Sequence, residues 1–557
     1  MQTTDKYSCR FMAQALKHYG ITRVVVSPGS RNAPLIVALA RTQGLECTVV
    51  VDERSAAFVA LGMAVESHGP VALACTSGSA ALNYAPALAE AFYRQVPLIA
   101  ITADRPEEWI DQDDGQTIRQ AGALDAVVKG SFNIPPDHGA EPLRRMGRRR
   151  ICDAIALAGS EPCGPVHVNI QIDEPINGTC DDSSDCFTFP SFVATERIMS
   201  ATTAQSLAEE LDKASRVMVL AGFMPGHNGL SESLAQLPPH WAVLCEEQSN
   251  LRGPFVGNID ASLRFMEAAE KESLLSPDIV VTIGGSLTSR MIKAELRGRN
   301  IRHWHVGLSG GSVDSLLHLE KNIACTTHEF FEAVAPRLHT QPEARYRNNW
   351  LAVSERARKA TTDFMNEAPW SDFSAMGCLL ASLPSGIHLH LSNGTAVRYA
   401  QLFGCSGAAS VECNRGVSGI DGCTSTALGA AIAAGKPTLI VSGDMCAQYD
   451  MAALAMSSIP DTFRIAVLNN SGGGIFRFIK ATRDMPELEH YLAADVRLPL
   501  KELADGFGFD YYEAHDKSSL EKMLPAFFSP GCRPAILNMI TPAETSAQII
   551  KDYFYRK

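Results

Sequence analysis

Short β-branched runs alternate with Ala/Leu-rich helical stretches along this chain, and that alternation restricts its fold more than any other feature. Candidate strands occupy residues 23–26, 48–51, 71–75, 98–102 and 166–170, and the first four run straight into polar or Gly-containing turns. Further runs lie at 217–221, 242–245, 279–283 and 303–306, then at 387–391, 410–412, 438–442, 464–468 and 535–539. This grammar predicts an α/β fold with mainly parallel sheets flanked by helices. Ligands of such sheets bind at the carboxyl ends of the strands, so the turns are where function is sought. At 557 residues the chain is too long for one hydrophobic core. The polar stretch 173–190 reads as a linker, and an Arg-rich helical stretch at 341–359 as a second boundary. Three domains are expected, at 1–180, 190–340 and 350–557. Blocks one and three share the strand-turn-helix grammar without an internal sequence repeat.

The formal net charge of −12 argues against nucleic acid or an anionic membrane as a partner. An anionic substrate would need a local cluster of Arg or Lys. The 15 cysteines show no CxxC and no zinc-like spacing, so buried, reduced thiols in a cytoplasmic protein are expected. Residues 1–20 lack the apolar core of a signal peptide. The best apolar run, 427–441, is broken by Lys436 and Pro437, short of the roughly 18 residues that a membrane span needs.

The densest chemistry lies in the third block. The run 437–442 ends in Gly443-Asp444. A helical stretch follows, then a second run, 465–468, ending in Asn469-Asn470-Ser471-Gly472-Gly473. A carboxylate and an amide oxygen would thus emerge from neighbouring strand ends. Hard oxygen ligands, one charged and two neutral, suit Mg²⁺ shared with phosphate oxygens, and glycines let backbone approach the phosphates. A lone Gly-Asp after a strand is usually an ordinary turn. Spaced 26 positions from Asn470 across a strand-helix-strand unit, Asp444 is far more specific.

This pair of turns resembles the diphosphate-binding motif of thiamine-diphosphate enzymes. The resemblance implies thiamine diphosphate held through Mg²⁺ (with Mn²⁺ as an alternative), Asp444, Asn470 and Gly472 being the metal ligands. It adds Gly443, Ser418, Gly419, Ile475 and Phe476 to the cofactor contacts. Many members have Gly after the Asp, where this chain has Met445, a position not expected to supply a side-chain ligand. A Glu in the first α/β block serves the aminopyrimidine ring in this family, and Glu53, after the run 48–51, takes that role. A carboxyl group bonded to the ring nitrogen favours the imino tautomer, which removes the proton from thiazolium C2. Ile420, between glycine-rich turns, would wedge the cofactor into its bent form, the alternative being a core isoleucine. The middle block, whose Gly222–Gly226 and Gly284-Gly285 turns are not GxGxxG, is expected to be Rossmann-like without a nucleotide.

Several segments together resemble one family of thiamine-diphosphate carboligases, which make 2-succinyl-5-enolpyruvyl-6-hydroxy-3-cyclohexene-1-carboxylate in menaquinone biosynthesis. They are Ser27-Pro28-Gly29-Ser30-Arg31, Asp52-Glu53-Arg54, Thr76-Ser77-Gly78-Ser79-Ala80, Asp104-Arg105-Pro106, Gln116-Thr117-Ile118-Arg119-Gln120 and residues 414–422. The resemblance implies decarboxylation of 2-oxoglutarate and addition of the succinyl carbanion to isochorismate. Arg398 would hold the succinyl carboxylate. Arg31, Arg105 and Arg415 would hold isochorismate, with Ser30 and Gln116 donating hydrogen bonds. Arg290 is expected to contribute, although Met291 stands where some members have a second basic residue. Arginine's rigid fork suits carboxylates, and such turns supply the basic cluster that an acidic protein lacks elsewhere. Acetohydroxyacid synthases or simple 2-oxo-acid decarboxylases, a flavin or nicotinamide protein, and a catalytically silent relative are the competing readings. The arginines, the missing GxGxxG, and the retention of Glu53 with Asp444 and Asn470 argue against them in turn. Glu53 and Asp444 fall in different blocks, so the resemblance also implies a homodimer or homotetramer with active sites between chains.

Overall fold

The structure, a computed structural model, describes residues 2–181, 187–193, 195, 197–226, 229–308, 311–339, 345–479, 481–494 and 497–555. The chain forms two compact units. The first comprises Met1–Ala194, Gly416–Thr438 and Gln448–Phe463; the second comprises Thr195–Arg415, Leu439–Ala447 and Arg464–Lys557.

The first large sheet has six parallel strands in the spatial order Glu46–Val49, Arg23–Val26, Val71–Cys75, Leu98–Asp104, Val166–Gln171, Ser131–Ile134. The middle sheet has five parallel strands, ordered Trp241–Cys245, Val217–Ala221, Ile279–Ile283, Arg302–Val306, Leu319–Ile323. The third runs Ala408–Glu412, Ile387–Leu391, Thr438–Gly443, Phe463–Asn469, Ala535–Ile540, Asp510–Ala514. Counted by position within each sheet, the first and third share one order, 2-1-3-4-6-5. The shared grammar of the two blocks is therefore a shared topology, without detectable sequence repetition.

Strands buried along their whole length, such as Val71–Cys75 and Val217–Ala221, read as continuous apolar runs because both faces of the sheet are covered. Two expectations change. The strand expected at 48–51 is Glu46–Val49, because its pairing with Arg23–Val26 ends when that partner does. Val51 is left 74% exposed, and Asp52 caps the next helix by accepting from the Ser55 N–H at 2.9 Å. The expected linker at 173–190 contains a strand, Thr179–Asp181, paired antiparallel with Gln2–Thr4. Its residues 182–186 lie outside the described residues. The helix Tyr346–Glu367 carries most of the stretch expected at 341–359, of which 341–344 also lie outside.

Within the first unit, the helices Glu53–Ser67 and Cys423–Ala434 are apolar nearly all round and pack on one another. A Cβ at Gly62 would lie 1.9 Å from the Thr426 carbonyl oxygen, and one at Gly429 2.0 Å from that of Val59. Only glycine permits this approach. Most described cysteines are buried free thiols. Among the described residues no helix is long and apolar enough to cross a membrane.

Candidate active site

In the second unit, Asp444 and Asn470 follow neighbouring strands of the third sheet and are 2% and 4% exposed. Asp444 Oδ2 accepts from the Gly472 N–H at 2.9 Å, and Oδ1 from the Met445 N–H at 2.7 Å. Burial pushes its carboxyl up to about 6; those N–H groups oppose the shift and the Asp372 charge adds to it. Asp372 opens the helix Asp372–Ala381, and its Oδ2 accepts from Asn470 Nδ2 at 2.7 Å. Because that carboxylate needs a donor, the amide nitrogen must face it. Asn470 Oδ1 is left buried without a partner. An orphaned buried acceptor is costly, and one beside a carboxylate fits a hard cation. Gly472 has φ +142°, and a Cβ there would lie 2.3 Å from the Ala493 carbonyl oxygen. Next to it, the Gly473 N–H donates to that same carbonyl at 2.7 Å. Half-buried Ile475 and Phe476 follow on a short 3-10 turn, Gly474–Arg477. At Gly443 nothing lies within 4 Å of where a Cβ would stand, which leaves open space beside its backbone.

The same unit gathers three of the expected arginines. Arg398 projects from the helix Ala396–Phe403, Arg415 follows the strand Ala408–Glu412, and Arg290 opens the helix Arg290–Arg297. Burial lowers Arg398 to about 10, the charges of Arg415 and Arg290 push the same way, and Asp260 opposes them. Arg415 Nη1 donates to Asn393 Oδ1 at 2.9 Å, and its Nε is buried without a partner. None of the three forms an ion pair within 4.0 Å among the described residues. Met291 packs against the apolar core of the middle sheet, which explains why that position is not basic here.

In the first unit the expected motifs meet at the strand ends. A Cβ at Gly29 would lie 2.3 Å from Thr76 Cβ, so the 27–31 and 76–80 turns touch. Gln120 ties the 116–120 segment in: its Oε1 accepts from the Gly78 N–H at 2.9 Å, and its Nε2 donates to the Ala103 carbonyl at 2.9 Å. Gln116 is exposed at φ +56°, and its carbonyl accepts from Ser77 Oγ at 2.9 Å. Ser30 is exposed on its turn. Unlike the second-unit arginines, Arg31 and Arg105 are paired, with Glu174 at 2.8 Å and Asp114 at 2.5 Å. Glu53, half-buried, begins its helix where its charge adds to burial in raising the Tyr84 hydroxyl. The 416–422 segment is held by Glu90, whose carboxylate accepts from the Gly416 and Val417 N–H groups at 2.8 and 2.7 Å. In that segment Ser418 has φ +64°, and Ile420 is 36% exposed rather than a core isoleucine. Sequence reasoning missed Asp372, Asp260 and Glu90. Only Asp372 had a local signal, the Ser371 cap before its helix.

A buried carboxylate beside an unpartnered amide oxygen at paired strand ends, on a sheet topology used twice, points to the class of thiamine-diphosphate enzymes. Residues 9–123 match the family described as "Thiamine pyrophosphate enzyme, N-terminal TPP binding domain", and residues 193–390 match "Middle domain of thiamine pyrophosphate". A 2-succinyl-5-enolpyruvyl-6-hydroxy-3-cyclohexene-1-carboxylate synthase of Porphyromonas gingivalis is 37% identical over 562 residues, covering 99% of this chain and 97% of the relative. Relatives of the same name from Flavobacterium johnsoniae (35%, 96% of each chain) and Phocaeicola vulgatus (35%, 99% and 98%) match similarly. The chain belongs to the family of 2-succinyl-5-enolpyruvyl-6-hydroxy-3-cyclohexene-1-carboxylate synthases.

Proposed function

We propose that this protein decarboxylates 2-oxoglutarate and joins the succinyl unit to isochorismate, giving the product for which the family is named. The observation that carries the reading is the set of arginines 290, 398 and 415, held together without an ion-pair partner among the described residues of an acidic protein. Short apolar oxo acids would leave them uncompensated, whereas polycarboxylate substrates neutralise them.

Thiamine diphosphate, when bound, supplies the carbanion chemistry that releases CO₂ and transfers the acyl unit. Asp444, Asn470 Oδ1 and the Gly472 carbonyl would hold Mg²⁺, or Mn²⁺ in its place, with the diphosphate. Gly443, Ser418, Gly419, Ile475 and Phe476 would line the cofactor, and Ile420 would support its bent form. Glu53 holds the proton at the aminopyrimidine nitrogen. Arg398 fixes the distal carboxylate of 2-oxoglutarate. Arg290 and Arg415 bind isochorismate, with Ser30 and Gln116 donating hydrogen bonds. Arg31 and Arg105 join them by exchanging Glu174 and Asp114 for substrate carboxylates, which keeps both guanidinium groups paired throughout. Residues 1–180 would form the aminopyrimidine domain, 190–340 the central domain and 350–557 the diphosphate domain. Glu53 and Asp444 belong to different units, and at least a homodimer, in the cytoplasm, with active sites between chains would bring both to one cofactor. The test is mass spectrometry of the product formed from 2-oxoglutarate and isochorismate with Mg²⁺ and thiamine diphosphate. Absence of the succinylated adduct, or equal turnover of pyruvate, would refute the reading.

A further inference from the structure

The helix Arg290–Arg297 carries two cations that the proposed function does not use, Lys293 and Arg297, and Arg297 is tied to the Ser315 carbonyl. Lys293 stands one turn beyond Arg290, on the same helix face. Its ammonium reaches back to donate to the Leu287 carbonyl at 3.0 Å, on the turn that precedes the helix. That turn also holds Arg415, because Ser286 Oγ donates to the Arg415 carbonyl at 2.8 Å. Two acids contact the same turn, buried Glu246 and half-buried Asp260. Glu246 accepts from the Thr288 and Ser289 N–H groups at 2.8 and 2.7 Å and from Gln248 Nε2 at 2.5 Å. Asp260 accepts from Ser289 Oγ. Both carboxylates thus accept from neutral donors of the turn. No carboxylate lies within 4.0 Å of the Lys293 ammonium among the described residues. Burial lowers the ammonium's pKa; Glu246 opposes this, while Arg297, Arg415 and Arg290 reinforce it. With three guanidinium charges set against one carboxylate, a further anion among them would stabilise the half-buried ammonium.

We propose that Lys293 binds a carboxylate of the acceptor substrate together with Arg290 and Arg415. This rests on assigning those two arginines to the acceptor, and it extends the site to a residue that no motif singles out. Met291 faces the apolar cluster, so position 293 is the next one able to deliver a charge to the face that Arg290 occupies.

Lys293→Met keeps the side chain's length and removes its charge. In the full-length holoenzyme its KM for isochorismate should rise about 10- to 100-fold, with KM for 2-oxoglutarate within about twofold of wild type. Lys293→Arg should recover most of the loss. An isochorismate KM within about twofold of wild type overturns the proposal. So does an equal loss toward both substrates accompanied by a lower melting temperature, which marks a structural lysine. If Lys293→Met does not accumulate as folded protein, Lys293→Gln is judged by the same thresholds. Arg415→Met serves as the control: if it leaves the isochorismate KM unchanged, the acceptor assignment itself fails, separately from the part given to Lys293.

Discussion

Removing the charge of Arg398 should cost activity while leaving the cofactor-free protein as stable as before, or more so. The guanidinium is held at about 10 instead of 12.5, chiefly by burial and then by Arg415 and Arg290. At about 1.4 kcal/mol per tenfold change, keeping it charged costs the fold at most ~3.5 kcal/mol. Solvent screening on its open side reduces that to roughly 1–2 kcal/mol. Arg398→Met removes this cost and forfeits one hydrogen bond to the Gly394 carbonyl, worth about 1 kcal/mol. The net change in urea unfolding of apoprotein should therefore lie between zero and about 1 kcal/mol of stabilisation, where truncating a paired buried arginine would cost about 3–5 kcal/mol. The sign with pH follows. The folded pKa lies below the unfolded value, so the penalty is fully present below about 10 and relieved only as pH rises through 10 toward 12.5. Across an ordinary assay range the effect is flat. In the same variant kcat/KM for 2-oxoglutarate should fall about 10- to 100-fold, from the loss of one charge-assisted contact. Saturating 2-oxoglutarate should raise the unfolding midpoint of wild-type holoenzyme more than that of the variant. A loss of about 3 kcal/mol or more in the apo variant would refute the reasoning, because the cluster would then be compensated from within the fold.

Glu53→Gln should lower turnover at least about 100-fold, the usual scale of a lost proton-transfer group, while titration calorimetry still detects thiamine diphosphate binding. Asp444→Ala should weaken Mg²⁺-dependent binding of thiamine diphosphate; unchanged affinity would remove it from the metal site. Gly472→Ala puts a methyl 2.3 Å from the Ala493 carbonyl at a φ suited to glycine, and should raise the cofactor requirement and cost about 2–4 kcal/mol in urea unfolding. Pyruvate in place of 2-oxoglutarate should lose roughly two to four decades in kcat/KM, the cost of leaving an arginine unpaired. Burial holds His167 neutral down to about 4, so wild-type protein should lose on the order of 1–2 kcal/mol of stability between pH 7 and 5 relative to His167→Gln. Equal losses in both would show that His167 does not titrate in that window.

What the sequence revealed follows burial. Strands covered on both faces are rich in apolar residues along most of their length, and each of those was found. Ser131–Ile134, Leu319–Ile323 and Asp510–Ala514 were not, because all three sit at sheet edges where polar residues are tolerated. The Leu-Glu-Lys-Asn-Ile run buries none of its residues fully. Candidate site residues were legible where a strand-end turn carries them, as at Asp444, Asn470 and Glu53. They were illegible where their role comes from distant partners: Asp372 meets Asn470 across 98 positions, and Glu246 meets Ser289 across 43. The pairing of Arg31 and Arg105 with acids, and the lack of such pairs at Arg290, Arg398 and Arg415 among the described residues, is likewise a fact of three dimensions.

The close fit of Gly62 against Thr426 also governs the order in which this chain can finish folding. Both helices belong to the first unit, yet more than 360 positions separate the two contacting residues (426 − 62). On the ribosome, the amino-terminal sheet emerges long before the helix that covers it, and the glycine-lined face of Glu53–Ser67 stays bare through most of synthesis. Its completion waits for the carboxyl-terminal third of the chain, a contact of very high sequence separation that slows folding and exposes an apolar surface meanwhile. A nascent chain stalled before residue 423 should therefore be the species that chaperones hold and proteases remove.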